Sequence, residues 1–406
     1  MAISPSLSLY YNIRRKYNND WIDCLNHIYS PLGLIFFALI FLLETIFDRP
    51  IYCLINSYEH VFDEKVYPHD RWHRYINSYC YLENKYFVNP SQIGFPLDST
   101  RKAISADFYP WVMVMFVLQS ILFVLPHWIW EAFNFKSGIT LRSLAIGLTS
   151  NDKKAKKVYG KRAFGLDFSD GEPVPAFIGT LTYNLKRKDK IFLLFSPQTY
   201  FSNSYLFYKF GNLVNVVLQF VFVNFALTHY TLRGFEFVWN LIRNGINWKS
   251  SGHFPLIVFC DFNRRDDATG KSFTATSQCL LPFNYLYESM FIVTWFWLIF
   301  VFICNFCSFI STFWFLFSYN RRANFVEKLL APHGIHKENP NFGYFVRKIL
   351  GKDGVSTLRI LHANLSHFQV SEFTKELFEA CNDLFPPSPG ASNAATTTQT
   401  NINEAL

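Results

Sequence analysis

Long uncharged runs divide this chain, and the clearest of them lies between Asp107 and Glu131. Its 23 residues, 108–130, contain no Asp, Glu, Lys or Arg. As an α-helix, this run would extend roughly 35 Å, enough to cross the hydrocarbon core of a bilayer. Trp111 and Trp130 lie near its two ends, where aromatic side chains favour the headgroup region. The run therefore predicts a transmembrane helix.

Three further uncharged runs predict the remaining membrane helices. Runs of 20, 23 and 32 residues occupy positions 24–43, 210–232 and 289–320. The last run is longer than one bilayer crossing needs, so its helix is expected to tilt or to project beyond the membrane. Apolar residues recur at helical spacing in 319–384, which predicts soluble helices. The final residues, 385–406, are poor in apolar side chains and are predicted to be disordered.

The charges of the connecting segments predict the orientation of the four helices. The 132–204 segment carries 12 Lys and Arg residues against 5 acidic residues, whereas the 48–106 segment carries 7 of each kind. Because cytoplasmic loops are enriched in Lys and Arg, the middle loop and both termini are placed in the cytoplasm. The uncharged 191–208 segment leaves a fifth span open, which would move the C-terminus outside. Its centre is too polar for a lipid-exposed helix, so we favour four spans.

Composition supports a membrane protein rather than a soluble enzyme. The 406 residues are 50% hydrophobic and 19% aromatic, and only 17% are charged, against about 25% in soluble proteins. The net charge of +8 does not indicate nucleic acid, because no stretch interleaves basic and stacking residues on a soluble domain. No catalytic triad order, phosphate-binding Gly loop or paired carboxylates stand out, so we expect no enzymatic activity, no cofactor and no metal.

Four of the eight cysteines lie in the two loops that the orientation places outside the cell: Cys53 and Cys80 in the first, Cys260 and Cys279 in the second. An even number of cysteines on the oxidising side of a membrane predicts disulfides. Four cysteines allow three pairings, and spacing alone does not select among them.

Several separated stretches resemble the innexins, the gap-junction proteins of invertebrates. These stretches are Tyr79-Cys80-Tyr81, Tyr109-Pro110-Trp111-Val112 with the run to Pro126, Ser251-Gly252-His253-Phe254-Pro255, Val258-Phe259-Cys260-Asp261-Phe262 and Trp295-Phe296-Trp297. Pro110 stands where the family usually has Gln. The resemblance extends from about Asp20 to Leu384 and keeps the family's order of motifs.

The resemblance implies the fold class and completes the division of the chain. The expected fold is an all-α membrane protein, a four-transmembrane-helix subunit with disulfide-linked extracellular loops and a cytoplasmic helical dome. The expected segments are an N-terminal cytoplasmic or pore segment (1–30), TM1 (31–47), extracellular loop 1 (48–107), TM2 (108–130), a cytoplasmic loop (131–208), TM3 (209–232), extracellular loop 2 (233–286), TM4 (287–317), a cytoplasmic helical region (318–384) and a disordered tail (385–406).

The resemblance also implies the disulfide pairing and the function. Innexin bridges join the two outside loops, which implies Cys53–Cys279 and Cys80–Cys260; the alternative is one bridge within each loop. The implied assembly is an octameric hemichannel of this chain, alone or with other innexins, in the plasma membrane. It would dock to a second hemichannel on an apposed cell and pass ions and small molecules. The alternatives are an undocked hemichannel and a non-conducting adhesion component.

Four residues are candidates for the pore lining. Glu44 and Asp48 are one helical turn apart near the outer end of the first span, where a ring of subunits would repeat them and favour cations. Alternatively, Glu44 pairs within the subunit or reaches the interface. Tyr10 and Tyr11 belong to the N-terminal segment, which resembles the innexin segment that narrows the pore, although a cytosolic arm is the alternative.

Amides on the third span form one further candidate. Asn212, Asn215 and Gln219 are spaced by three and four residues and share a helix face. They would face water or a neighbouring subunit, or they would form hydrogen bonds between helices of one subunit.

Overall fold

The computed structural model describes residues 20–47, 50–54, 69–83, 85–88, 94–97, 101, 109–135, 141–149, 177, 199–227, 254–265 and 270–381. Within these ranges the fold is mostly helical, and four helices are long and apolar enough to cross a membrane. The chain divides into two compact units. The helical unit comprises 1–24, 126–211 and 305–406, and the sheet unit comprises 25–125 and 212–304.

The elements are named here in chain order. The α-helices are α1 (Trp21–Phe47, with a π-helical turn at Leu25–Tyr29), α2 (His69–Leu82), α3 (Val112–Phe135, after a 3-10 turn at Tyr109–Trp111), α4 (Leu141–Thr149), α5 (Tyr200–Leu227), α6 (Asn284–Phe317), α7 (Tyr319–Leu330), α8 (Gly351–Asn364) and α9 (His367–Ala380). A short helix at Phe342–Tyr344 and a π-helix at Phe345–Leu350 precede α8. The strands are β1 (Tyr52–Leu54), β2 (Lys85–Tyr86), β3 (Ile257–Arg265) and β4 (Ser272–Leu280).

The four predicted spans fall on α1, α3, α5 and α6, but three of these helices begin earlier than expected. α1 begins at Trp21 rather than at residue 31, and α5 begins at Tyr200 rather than at residue 209. Tyr200–Tyr208 therefore continues into the third span, so this part of the uncharged 191–208 segment does not form a separate helix. α3 runs through Pro126 without ending. The expected residues 228–232 of the third span lie outside the described part of the chain.

The sheet unit contains a four-stranded antiparallel sheet with the order β1-β4-β3-β2. The two central strands form a hairpin from the second loop, and the first loop supplies a short strand at each edge. The sequence analysis assigned no strands to these loops. β1 and β2 have only three and two residues, so neither carries a recognisable alternating pattern.

The core of the sheet unit joins this sheet to all four membrane helices, because Val216 and Val223 of α5 are also buried in it. Phe41 of α1, Phe116 of α3 and Phe291 of α6 are all buried in it, together with all four bridged cysteines. The ring centroids of Phe116 and Phe291 are 5.4 Å apart, and those of Phe41 and Phe116 are 5.6 Å apart. Aromatic packing therefore fills the space between the helices.

The helical unit has a separate core, in which α4, α7, α8 and α9 pack with parts of α3 and α5. Trp130 of α3 lies in this core and contacts three rings of α5; its ring stacks on Tyr208 with centroids 5.7 Å apart. A capping box starts α9, because Ser366 Oγ accepts from the backbone N–H of Gln369 while the Gln369 side chain accepts from the backbone N–H of Ser366. Gly334, at φ 75°, ends the 3-10 turn that follows α7.

Candidate functional site

Two disulfides join the first loop to the second within the sheet unit. Cys53 of β1 is bonded to Cys279, which lies directly opposite it on β4, and Cys80 of α2 is bonded to Cys260 of β3. This is the pairing that the innexin resemblance implies, and not the pairing within each loop. The sulfur atoms of Cys53, Cys80 and Cys279 lie within 4.8 Å of one another. They are oxidised, so this cluster is a covalent junction and not a set of metal ligands.

Hydrogen bonds reinforce the same junction. The buried Asn77 side chain of α2 accepts from the backbone N–H of Cys53 at 3.0 Å. Ser277 Oγ of β4 donates to the carbonyl oxygen of Leu54 at 2.6 Å. These two bonds hold β1 from both sides, which compensates for its short length. The first loop therefore belongs to the same sheet as the second loop.

Asp261 of β3 organises a polar network at the other edge of the sheet. Its carboxylate accepts from Arg101 Nη1 at 2.7 Å, from the Tyr86 hydroxyl at 3.1 Å and from Thr276 Oγ1 at 2.6 Å. Burial, followed by the negative charge of Asp261, raises the pKa of Tyr86 to about 12. Tyr86 therefore stays protonated as a donor at physiological pH. Sequence reasoning had noted Asp261 only as part of a family motif.

The family motif at the entry of α3 has a structural role. Tyr109 is buried, and its hydroxyl oxygen accepts from Asn284 Nδ2 at 2.7 Å. The same Asn284 nitrogen also donates to the carbonyl oxygen of Pro255. Asn284 thus ties together the beginnings of α3 and α6 and the approach to β3. Pro110 lies in the first 3-10 turn, where its missing N–H would have no helical partner.

The other motif residues of α3 lie on different faces. Trp111 is 64% exposed, whereas Val112 is fully buried. Pro126 lies within α3 and belongs to the helical unit. The motif is therefore not a single binding surface.

Glu44 is the only described residue among the four pore candidates. Its carboxylate interacts with the hydroxyl of Tyr287 on α6, and its Oε2 atom is buried without a hydrogen-bond partner in the described part of the chain. The ring of Tyr287 in turn packs on Phe41, with centroids 4.3 Å apart. Glu44 therefore takes part in packing within the subunit. Asp48, Tyr10 and Tyr11 lie outside the described residues.

The amides of the third span have mixed surroundings. Gln219 Nε2 donates to the backbone carbonyl oxygen of Gln119 on α3 at 3.2 Å. This contact is a hydrogen bond between helices of one subunit, which was one of the two alternatives that the sequence allowed. The side-chain nitrogens of Asn212 and Asn215 are buried and have no acceptor in the described part of the chain. These two amides keep unused hydrogen-bonding capacity on one face of α5.

Sequence reasoning missed an ion-pair cluster in the helical unit. Lys209 Nζ, with a side chain only 1% exposed, lies 2.8 Å from Asp23 Oδ1 and 3.3 Å from Asp20 Oδ2. The Tyr205 hydroxyl donates to Asp23 Oδ2 at 3.0 Å. The only local signals were two acids three residues apart at the start of α1 and one lysine in α5. The cluster holds the N-terminal end of α1 against α5.

A second missed contact involves Asp353 of α8. Its carboxylate accepts from the backbone N–H groups of Phe201 and Ser202 at 3.2 and 2.9 Å, in the first turn of α5. This position satisfies donors that a helix leaves free at its N-terminus. Burial nevertheless raises the pKa of Asp353 to about 6, although the hydrogen bonds favour its charged form.

Comparison with known proteins agrees with these features. A family model described as Innexin matches residues 19–381. Innexin-16 of Caenorhabditis elegans is 29% identical over 360 residues, which cover 88% of this chain and 88% of that protein. Innexin unc-9 of the same organism is 26% identical over 384 residues, 92% of this chain and 96% of that protein. Because the family model spans nearly the whole chain, this chain belongs to the innexin family, the gap-junction channel proteins of invertebrates.

Proposed function

We propose that this chain forms an octameric hemichannel that docks to a second one on an apposed cell, with both termini in the cytoplasm. The docked channel would pass ions and small molecules passively, without a catalytic step. Innexins form gap-junction oligomers, and the four apolar helices agree with a multi-pass membrane protein at these junctions. The stoichiometry, the docking and the direction of the termini are our proposals.

Two independent arguments support the orientation. The 132–204 segment carries 12 basic residues against 5 acidic residues, as cytoplasmic loops do. The two disulfides join the loops that four spans would put on the other side of the membrane, and disulfides persist on the oxidising side. Both arguments support the proposal that the sheet lies outside the cell.

The observation that carries the docking proposal is the crosslinked sheet. Both outside loops contribute strands to it, and β3 and β4 extend as a hairpin beyond the short edge strands. β1 pairs only with 278–280 and β2 only with 259–260, so residues 261–265 and 272–276 of the hairpin pair with each other alone. A hairpin held at its base by two disulfides is a rigid platform for contact with another channel.

Selectivity is proposed to depend on pore width and on the charge at the outer end of α1. Glu44 and Asp48 are the candidates for this charge, and Tyr10 and Tyr11 are proposed to narrow the cytoplasmic entrance. In a ring of subunits, carboxylates repeat around the axis and favour cations. The Glu44 side chain is partly exposed in the subunit, which is compatible with such a role.

Paired cells that express only this chain test the proposal. We expect a small fluorescent dye to pass between the cells and a junctional conductance to develop. Conductance of single cells without dye transfer would support the undocked hemichannel instead. Adhesion of the paired cells with neither dye transfer nor conductance would contradict the channel function. Expression together with Innexin-16 or Innexin unc-9 tests whether docking requires a second family member.

A further inference from the structure

The C-terminal end of α6 carries exposed aromatic rings next to unpaired cations. Phe313, Trp314 and Phe317 are 42%, 57% and 58% exposed. α6 ends at Phe317, and the chain beyond it is rich in Lys and Arg. Aromatic rings at the end of an apolar helix favour the headgroup region of a bilayer. This end of α6 is therefore where the span leaves the hydrocarbon.

Three cations surround the last turn of α6. The guanidinium carbon of Arg359 lies 4.4 Å from the ring centroid of Phe315, and that of Arg321 lies 6.0 Å from the Trp314 centroid. Lys352 Nζ lies 5.0 Å from the centroid of Phe317. Lys352 and Arg359 are seven residues apart on α8 and so share one helix face. Arg321 of α7 and two residues of α8 thus place three positive charges beside residues 314–317 of α6.

No carboxylate of the described residues forms an ion pair with this group. Within the described part of the chain, none of Arg321, Lys352 and Arg359 forms a salt bridge. Glu327, in the neighbouring α7, is paired with Lys337 at 2.8 Å. The negative charge of Asp353 acts on Lys352, but its oxygens accept from the backbone at the start of α5. The positive charge of the three side chains is therefore largely uncompensated within the described residues.

The Arg359 guanidinium is only partly satisfied by hydrogen-bond acceptors of the described residues. Its Nη2 atom donates to Ser311 Oγ at 3.1 Å, whereas its Nη1 atom is buried with no acceptor in the described residues. An unsatisfied donor of a charged group is costly, and a planar guanidinium suits the oxygens of a phosphate. An anion with several acceptor oxygens would therefore suit this group of cations.

We propose that Arg321, Lys352 and Arg359 bind the phosphate of an anionic phospholipid headgroup at the C-terminal end of α6. The exposed rings of Phe313, Trp314 and Phe317 would contact the upper part of its acyl chains. A soluble phosphate would use the cations but not the rings, so the lipid accounts for both features. The placement in the cytoplasmic leaflet rests on the orientation proposed above; the binding itself does not.

Native mass spectrometry of the full-length protein in detergent tests the site with phosphatidic acid as the probe and phosphatidylcholine as the neutral reference. We expect preferential binding of phosphatidic acid to the wild-type protein. Replacement of Arg321, Lys352 and Arg359 by Gln should weaken it by about fivefold for each charge removed, on the order of a hundredfold for all three. The single Arg321→Gln and Lys352→Gln variants provide the same test if the triple variant does not fold.

A matched variant separates the site from net charge. Lys328, Lys337 and Lys375 lie elsewhere in the helical unit, and the last two are already paired with carboxylates. Their joint replacement by Gln removes the same charge and should leave phosphatidic acid binding within about twofold of wild type. An equal loss in both triple variants would overturn the proposal.

Two other outcomes would also overturn it. Competition by glycerol 3-phosphate at the concentration at which phosphatidic acid binds would assign the site to a soluble phosphate. The variant of Arg321, Lys352 and Arg359 could also lose ring assembly while its lipid binding stays unchanged. That result would show that the three cations pair with carboxylates of a neighbouring subunit. Neither outcome depends on conductance or on the direction of the termini, so failure of the site is distinguishable from failure of the channel proposal.

Discussion

The sheet unit and the helical unit contain parts of the same four membrane helices, but they are held together by different means. Two disulfides connect the loops of the sheet unit, and its edge strands are too short to be stable alone. The helical unit has no disulfide among its described residues; its Cys24 and Cys381 are free. It depends on a large apolar core and on buried polar contacts of Lys209 and Asp353.

Each unit is therefore vulnerable to a different kind of change. A crosslink acts mainly by restricting the unfolded chain, so reduction should damage the sheet unit. A buried charge is tolerated only while its partner is present, so a single substitution should damage the helical unit.

Lys209→Met should be the most damaging single change in the helical unit. It leaves the carboxylate of Asp23, which is fully buried, without its cation. Breaking a buried ion pair in this way costs about 3–5 kcal/mol. We expect a lower thermal transition of the detergent-solubilised protein and less assembled ring in size-exclusion chromatography.

The double variant Lys209→Met, Asp23→Asn provides the control for that prediction. It removes both charges, so much of the lost stability should return. A double variant that is as unstable as Lys209→Met alone would show that the ion pair is not the cause.

Replacement of Cys53 and Cys279 by Ser should destabilise the sheet unit by about 2–4 kcal/mol. The loss should appear as reduced junctional conductance in paired cells, because the base of the β3–β4 hairpin is no longer crosslinked. Cys307→Ser is the matched control, since Cys307 is free and exposed. Normal conductance of the Cys53 and Cys279 variant would contradict a structural role for this bridge.

Asp353→Ala should destabilise the helical unit by about 1–3 kcal/mol, because the backbone N–H groups of Phe201 and Ser202 lose their acceptor. Asp353→Asn keeps one acceptor oxygen and should cost less. The thermal transitions of the two variants measure the difference. Equal transitions would indicate that the hydrogen bonds at the start of α5 contribute little.

The pH dependence of stability gives a further test of Asp353. Burial raises its pKa from 3.8 to about 6, so the folded protein binds this proton more readily than the unfolded chain. The stabilisation from this group is complete below the unfolded pKa and is lost as the pH rises through about 6. The transition of wild type relative to Asp353→Asn should therefore fall between pH 4 and pH 6. A rise in this relative transition temperature over the same pH range would contradict the prediction.

Glu44→Gln should have the smallest effect on stability and act mainly on selectivity. We expect a lower permeability for cations relative to anions, because the ring of subunits loses its carboxylates. The reversal potential under a salt gradient measures this ratio. Tyr287→Phe is the control, since it removes the hydroxyl that faces Glu44 and keeps the charge. An unchanged reversal potential in Glu44→Gln would show that Glu44 acts in helix packing and not in selectivity.

The same contrast explains what the sequence could predict. Uncharged runs identify the membrane helices because a bilayer requires about 20 apolar residues in a row. The four bridged cysteines are recognisable from their placement in two loops, although their pairing came only from the innexin resemblance. The contact between Lys209 and Asp23 joins positions 186 residues apart, and the contact between Asp353 and Ser202 joins positions 151 residues apart. No local pattern encodes such pairs.

The strands were missed for a related reason. Ile257–Arg265 does not alternate strictly between apolar and polar residues, and β1 and β2 are too short to carry a pattern. These strands form because the partner loop and the disulfides select them. The start of α5 was missed because Ser202 and Ser204 make its first turn look polar, although both are buried against the helical unit.

The accessibility of a tag fused after Leu406 tests the central claim most directly. In intact cells an antibody to this tag should give no signal, and permeabilisation should reveal it, because the helical unit is proposed to face the cytoplasm. A tag inserted in the second loop, between β3 and β4, should be labelled without permeabilisation. Labelling of the Leu406 tag on intact cells would place the crosslinked sheet in the cytoplasm and contradict a channel that docks between cells.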